Sequence, residues 1–340
     1  MSGTSLDGLD ICYSKFIKTK SNWDFQILTS ETIPYSSEWE HALKNAIQLP
    51  SEELLKLDVD YGFYLGEKTS EFISKHKIIN LDLIASHGHT VFHQPKNKFT
   101  LQIGDGRAIK SKINKTVIYD FRSQDVILGG NGAPLVPIGD ELLFSNFDAC
   151  LNLGGFSNIS LKRNEKRIAF DICPVNILLN SFAEKFGEKF DKNGEIARTG
   201  TIDYQLLENL NELDYYKQTV PKSLGIEWIN DQIAPFIQNQ KAEDLLATFT
   251  EHAATQIANI FDFYNIQNVL ITGGGAYNSY LIEKIKSRTE TEIQIPKKEI
   301  IEYKEALIFA FMGVLRSLNL DNVLSSATGS QNDHCSGLVC

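Results

Sequence analysis

The sequence has no apolar run long enough for a membrane. Its longer hydrophobic stretches, such as residues 308–315, fall far short of the ~20 residues that a spanning helix needs. The first residues carry neither a charged segment nor an apolar core, so no secretory signal is expected. Positive charge is also in short supply. Lys and Arg number 33 against 43 Asp and Glu, the formal net charge is −10, and basic residues never cluster beyond two or three. Nucleic acid and anionic membrane are therefore not expected as partners. Cysteine is scarce and scattered, at Cys12, Cys150, Cys173, Cys335 and Cys340, with no Cys-x-x-Cys spacing. That usage argues against a disulfide framework or a zinc site and suits reduced thiols in a cytoplasm. What is present is a globular composition, 42% hydrophobic and 22% charged over 340 residues, enough for two domains of ordinary size.

The opening ten residues, Met-Ser-Gly-Thr-Ser-Leu-Asp-Gly-Leu-Asp, put small residues first and carboxylates after them. A Gly-Thr-Ser turn entering a strand can offer N–H groups and hydroxyls to an anion. Asp7 is then a candidate ligand for a Mg²⁺ ion shared with that anion. Alone, the segment reads more readily as an ordinary Ser/Gly turn. Strands are expected over 9–16 and 25–33, helices over 37–47 and 51–76, and short strands at 81–86, 101–106 and 116–120. After the Gly/Pro-rich stretch 129–137 the opening layout recurs. A strand at 149–153 leads to the turn Gly154-Gly-Phe-Ser-Asn158, a strand at 159–161, a charged turn and a strand at 167–172. This weak repeat suggests two similar α/β domains. In the last third, Thr248-x-x-Glu251 reads as a capping box opening an amphipathic helix. A strand at 269–272 runs into Gly273-Gly-Gly275, and Asn278 can cap the helix that follows. A final helix is expected over 304–318, with the tail 325–340 as loop.

Several side chains could carry chemistry. Asp171 reads as the end of an apolar strand, where a carboxylate could serve as general base, or as a solvated or capping Asp. His87, His89 and His93 could be metal ligands. The preferred reading has one of them bonding a polar substrate and the others structural. Arg122, in Asp120-Phe-Arg122 with Asp125 beyond, could meet a substrate carboxylate or form a surface ion pair. Glu305 reads as a charge at a helix N-terminus or as a substrate contact.

Together these motifs resemble the anhydro-N-acetylmuramic acid kinase family. The resemblance rests on an ordered set: Gly3-Thr-Ser-Leu-Asp-Gly-Leu-Asp10, Ser86-His-Gly-His-Thr90, Leu101-Gln-Ile-Gly-Asp105, Asp120-Phe-Arg122, Gly132-Ala-Pro-Leu-Val-Pro137, Asn152-Leu-Gly-Gly155 with Ser157-Asn-Ile159, Phe170-Asp171, Gly273-Gly-Gly275 with Asn278, and Lys304-Glu-Ala306. It covers nearly the whole chain. It implies an α/β fold of two related actin-like ATPase (sugar-kinase) domains around a central nucleotide cleft. The first domain is expected over 1–135, with 315–340 as a candidate completion, and the second over 136–314.

The resemblance also implies a reaction. A 1,6-anhydro sugar is opened by water and phosphorylated from ATP to N-acetylmuramic acid 6-phosphate, in peptidoglycan recycling. Asp171 would be the base. Gly3, Thr4, Ser5, Leu6, Asp7, Gly8, Leu9 and Asp10 would hold phosphates and Mg²⁺. Gly154 and Gly155 would form the second phosphate loop, and Gly273, Gly274, Gly275 and Asn278 the nucleoside pocket. His87, Gly88, Thr90, Arg122, Asn176 and Glu305 would lie near the sugar. A homodimer in the cytoplasm is the implied setting.

Two departures stand out. The family's Asp-Thr-Gly-Pro-Gly-Asn is here Asp171-Ile-Cys-Pro-Val-Asn176, so Cys173 and Val175 replace glycines and an altered loop is expected. The family also carries a few apolar residues ahead of Met-Ser-Gly-Thr-Ser, as the strand that leads into the loop. Here the sequence opens inside that motif, so either the start lies upstream or the strand is missing. A non-catalytic sugar- or nucleotide-binding relative is the alternative reading.

Overall fold

The computed structural model describes all residues except Thr4, Ser5, Asp7, Ser21 and Asn239. The chain divides into two compact units, Met1–Leu143 with Tyr303–Cys340, and Phe144–Glu302.

The first unit opens with the hairpin β1 (Leu9–Lys18) and β2 (Trp23–Ile33), antiparallel, with Leu9 opposite Ile33 and a bulge at Tyr13/Ser14. Helix α1 (Ser37–Asn45) is capped by the Ser36 side chain. Helix α2 (Ser51–Lys75) carries Glu52 and Glu53 in its first turn and Lys75 in its last, a charge order that complements the helix dipole. Strands β3 (Leu83–Ser86), β4 (His89–Gln94) and β5 (Phe99–Ile103) precede α3 (Gly106–Ile113) and β6 (Thr116–Tyr119). Asp105 caps α3 by accepting from the Arg107 and Ala108 amides at 2.7 and 3.2 Å. Gly62 of α2 lets that helix lie against this cap, because a Cβ there would fall 2.6 Å from the Asp105 carbonyl oxygen. Tyr61, Leu65, Ile103, Ile109 and Val117 form the core between these elements. Two short helices, α4 (Ser123–Ile127) and α5 (Pro137–Leu142), flank the Gly/Pro-rich loop.

The second unit is built on one sheet. Strands β7 (Ala149–Leu153), β8 (Phe156–Arg163) and β9 (Lys166–Pro174) form an antiparallel meander. Helices α6 (Asn176–Ala183), α7 (Tyr204–Asn211), α8 (Asp214–Lys217), α9 (Ile226–Trp228) and α10 (Ala242–Phe263) follow. Strand β10 (Asn268–Thr272), helix α11 (Ser279–Lys286) and strand β11 (Glu292–Gln294) complete it. The order is β11-β10-β7-β8-β9, with β10 parallel to both its neighbours. Leu151, Leu153, Ile172, Leu246, Phe249, Ile257 and Phe261 anchor its core.

Helix α12 (Lys298–Ser317) leads the chain into its last segment, where α13 (Ser325–Thr328) and β12 (Leu338–Val339) lie. Strand β12 pairs antiparallel with β6, and β6 pairs parallel with β3. The tail is thus not simply loop: Cys340 and Val117 exchange both backbone hydrogen bonds at 3.0 Å.

Three further expectations are corrected. Helix α10 begins at Ala242, so Thr248 is buried in its interior and caps nothing. The Thr248 hydroxyl instead accepts from the Asp203 amide, and Glu251 pairs with Lys284 and Arg288. Helix α12 begins six residues before Lys304, which moves Glu305 away from a helix N-terminus. Strand β9 continues to Pro174, so Asp171 sits within the strand, opposite Asn158. Among the described residues, no helix is long and apolar enough to cross a membrane, and all five cysteines are free.

Candidate active site

The candidate residues fall into two groups, one in each unit. In the first unit, Thr4, Ser5 and Asp7 lie outside the described residues. Of the rest of the opening segment, Gly8 is buried and Leu9 opens β1. Asp10 accepts a hydrogen bond from the Thr32 hydroxyl at 2.6 Å. Leu6 has φ 58°, a left-handed turn between Gly3 and the strand, and its amide donates to the Gly3 carbonyl at 3.4 Å.

Arg122 is the centre of a denser group. Its Nε donates to His87 Nε2 at 2.8 Å and its Nη1 to the Gly132 carbonyl at 2.6 Å. A guanidinium only donates, so His87 Nε2 must be the acceptor and the proton sits on Nδ1. That Nδ1 lies 3.0 Å from the Gly88 carbonyl, its acceptor. Burial, then the neighbouring Arg122 charge, hold the His87 pKa well below the ordinary value, so the ring is neutral, as this bond requires. Phe309 of α12 packs against the His87 ring at 4.7 Å and under the guanidinium at 5.8 Å. Burial lowers the Arg122 pKa to about 10, with Glu305 and Asp125 opposing, and the group stays charged. Among the described residues, Arg122 Nη2 donates to nothing, so that corner of the fork is available.

Asp125 supports this arrangement from behind. It is fully buried, accepts from the Gly132 amide at 2.6 Å and the Thr328 hydroxyl at 2.7 Å, and its carbonyl takes the Gly130 amide at 2.8 Å. The loop that offers its Gly132 carbonyl to Arg122 is therefore fixed by a carboxylate three residues after Arg122. Glu305 is exposed, yet protein surrounds it closely enough that desolvation raises its pKa, with Arg122 the main opposing charge.

The three histidines part company. His89 Nδ1 meets the Ser2 hydroxyl at 3.1 Å and His93 Nδ1 the Thr100 hydroxyl at 3.1 Å. Among the described residues, no group of His, Cys, Asp or Glu could hold a metal ion by itself. Thr90, on β4, accepts from Gln102 at 3.4 Å.

In the second unit, Asp171 is half-buried and held on three sides. Its Oδ2 accepts the Leu224 amide at 2.9 Å, its carbonyl accepts the Tyr215 hydroxyl at 2.7 Å, and its amide donates to the Lys222 carbonyl at 3.3 Å. Among the described residues, Oδ1 takes no hydrogen bond. Burial raises the Asp171 pKa, and the Leu224 amide opposes it. One oxygen is thus clamped and the other open to a proton, which is the arrangement of a positioned base. The segment 215–224 was not singled out in the sequence. Its contacts are largely backbone groups that no residue pattern announces.

The replaced glycines turn inward. Cys173 and Val175 are both buried in the sheet's core, and the Ser157 hydroxyl lies 3.0 Å from the Cys173 carbonyl and 3.1 Å from its amide. Their bulk is absorbed by packing, and the frame set by Asp171 and Asn176 is retained. Asn176 donates from Nδ2 to the Leu153 carbonyl at 2.9 Å, and its amide reaches the Gly154 carbonyl at 3.2 Å. Gly155 accepts from Val175 and Ile177 at 2.8 and 3.1 Å. Gly273 has φ +82°, and a Cβ there would fall 2.4 Å from Asn152 Oδ1. A Cβ on Gly275 would fall 2.7 Å from the Leu153 Cβ, and Gly274 faces open space with Asn176 Nδ2 at 3.9 Å. The two glycine loops therefore meet at the end of β7, joined through Asn176. Asn278 caps α11 by accepting the Leu281 amide at 3.1 Å.

The family model and the curated relatives agree on one family. The family model described as anhydro-N-acetylmuramic acid kinase matches residues 1–340. The anhydro-N-acetylmuramic acid kinase of Francisella tularensis subsp. novicida (strain U112) is 32% identical, covering 98% of this chain and 95% of the relative. That of Haemophilus influenzae is 33% identical, covering 98% and 94%. Among solved structures, a ROK family glucokinase from Streptomyces griseus in complex with glucose and AMPPNP aligns with 84% of this chain and 94% of its own. It does so at 8% identity and a TM-score of 0.35, too low to add to the assignment. From its first residue to its last, the chain belongs to the anhydro-N-acetylmuramic acid kinase family.

Proposed function

We propose that the protein is an ATP-dependent kinase that opens 1,6-anhydro-N-acetylmuramic acid with water and phosphorylates it to N-acetylmuramic acid 6-phosphate, within cytoplasmic peptidoglycan recycling. The observation that carries the mechanism is Asp171, with one oxygen clamped by Leu224 and the other open.

In this reading Asp171 Oδ1 takes a proton from water as the water oxygen bonds to the anomeric carbon. The bond from that carbon to the bridging oxygen breaks, and the electron pair stays on the six-position oxygen. That oxygen then bonds to the γ-phosphorus of ATP, and ADP leaves. Such transfer depends on positioning and charge more than on covalent help from the protein. Arg122, whose Nη2 is uncommitted, would take the carboxylate that a muramic acid carries, and His87 and Gly132 would hold the guanidinium to that task. Glu305, Thr90, Gly88 and Asn176 are assigned to the sugar. Gly154, Gly155 and Gly273–Gly275 with Asn278 are assigned to the nucleotide, and the opening segment to its phosphates.

Mg²⁺ would neutralise phosphate charge. It usually binds through one or two carboxylates plus the phosphates themselves. Asp10 is the described carboxylate of the opening segment, and Asp7 the assigned ligand. A homodimer is part of the same proposal, and light scattering would test it. The activity is tested by ADP release. It should require the anhydro sugar, and ADP release that ignores the sugar would overturn the assignment.

A further inference from the structure

Strand β9 is the last strand of its sheet, so among the described strands its outer edge has no partner. Such an edge leaves N–H and C=O groups unpaired. At Asp171 both are taken, and both by the segment 215–224. The Asp171 amide donates to the Lys222 carbonyl at 3.3 Å, and its carbonyl accepts from the Tyr215 hydroxyl at 2.7 Å. Two residues beyond Lys222, the Leu224 amide reaches Asp171 Oδ2 at 2.9 Å. The segment therefore lies across the strand edge as a strap, with one contact from its first residue and two from its far end.

The strap is closed by a side chain to which the reaction above gives no part. Lys222 Nζ donates to the Tyr215 carbonyl at 3.1 Å and lies 4.5 Å from the centre of the Tyr215 ring. The same carbonyl accepts the Gln218 amide at 3.2 Å, so the turn out of α8 is tied at one atom. Tyr215 is 4% exposed and packs on Trp228 of α9 with ring centroids 5.4 Å apart. One end of the strap is thus set by packing, and Lys222 fastens the other end to it. The choice of residue is informative. Burial lowers the Lys222 pKa, with Cys173 opposing, and among the described residues no carboxylate pairs with it. A half-buried ammonium without a carboxylate carries a desolvation cost that a neutral donor would avoid. In return the bond to Tyr215 is charge-assisted, roughly twice as strong as a neutral one.

We propose that Lys222 is a positioning residue for the base: its ammonium holds the strap shut, so that Leu224 keeps Asp171 Oδ2 and Oδ1 is the oxygen that meets water. The inference rests on Asp171 being that base. Releasing Nζ from Tyr215 frees residues 218–224 to lift and takes the Leu224 amide from Oδ2. That amide opposes the rise that burial imposes on the Asp171 pKa, so its loss raises the pKa further. The other titratable groups facing the carboxylate are Tyr215 of α8 and Cys173 of β9. Burial holds both above their ordinary values, so neither changes charge where Asp171 titrates. A base with a higher pKa is lost at a higher pH, and the acid limb of activity moves up.

The test compares Lys222→Met and Lys222→Arg with the unsubstituted full chain. Met keeps the length of the stem and donates nothing, whereas Arg restores a cation that can donate and lie on a ring. The kcat/KM profile for the anhydro sugar is read as ADP release across pH. Its acid limb should lie about one pH unit higher in Lys222→Met, as loss of one hydrogen bond to a carboxylate dictates. Above the limb, kcat should fall roughly tenfold, as for a displaced catalytic group. The limb of Lys222→Arg should coincide with that of the unsubstituted protein. Hydrogen exchange, which needs neither ATP nor sugar, should be about tenfold faster at the Leu224 amide in Lys222→Met. Lys222→Gln, with a neutral donor, takes the place of Lys222→Met if that variant does not fold. An unmoved limb in Lys222→Met, an equal shift in Lys222→Arg, or unchanged exchange at Leu224 would each overturn the proposal. Asp171→Asn, measured beside them, separates the two claims. Turnover retained there removes the base and this proposal with it, whereas an inactive Asp171→Asn beside an unmoved Lys222→Met limb removes Lys222 alone.

Discussion

At the scale of single residues the account turns on how two charged groups are held. Asp171 has one oxygen fixed by a backbone amide and one left open. Replacing it by Asn keeps the shape and removes the base. Steady-state turnover should fall by about 10²–10⁴-fold, the usual worth of a general base, while ATP affinity measured by calorimetry stays near that of the unsubstituted protein. The pH profile carries the same point. The base works only when ionised, and burial raises its pKa. Activity should therefore be lost as pH falls through a value above the ordinary Asp range, and a kcat/KM profile with its acid limb at or below that range would contradict the assignment. Arg122 meets its neighbours through a planar fork, which Lys cannot reproduce. Arg122→Lys should raise KM for the sugar by roughly 10–100-fold, as loss of a charged hydrogen bond does, and leave KM for ATP unchanged.

At the scale of elements, the glycine loops depend on close approach. Gly273→Ala puts a Cβ against Asn152 at a backbone angle that side chains avoid. It should cost about 1–3 kcal/mol of stability, read by denaturant unfolding, and weaken ATP binding more than sugar binding. Elements governed by local pattern were legible in the sequence. The β1–β2 hairpin, α2 and the β7–β8–β9 meander follow from alternation, helical spacing and charged turns. Elements governed by distant partners were not. Helix α12 starts with turns that are largely exposed, so its polar opening reads as loop and Glu305 as a terminal charge. The tail strand β12 owes its form to Val117, over 200 residues away. Thr248 and Glu251 copy a capping box, yet each serves a neighbour across the fold. For the candidate residues the ordered motifs named Arg122 and Asp171. Gly132, which holds Arg122, lies in one of those motifs, whereas Leu224 and Tyr215, which hold Asp171, left no mark in the pattern.

At the scale of the whole molecule, family membership over all 340 residues joins these local arrangements to one activity. The altered segment from Asp171 to Asn176 is the place where this chain could have lost it, and there the added side chains pack into the core with the Asp and Asn retained. The account therefore predicts an active enzyme. Its central claim is that one protein both adds water to the anhydro sugar and phosphorylates it. The most direct measurement is mass analysis of the sugar product after incubation with ATP, Mg²⁺ and 1,6-anhydro-N-acetylmuramic acid. The account predicts a product that has gained one water and one phosphoryl group, the latter on the six-position oxygen. A sugar recovered unchanged, or opened without phosphate, would contradict it.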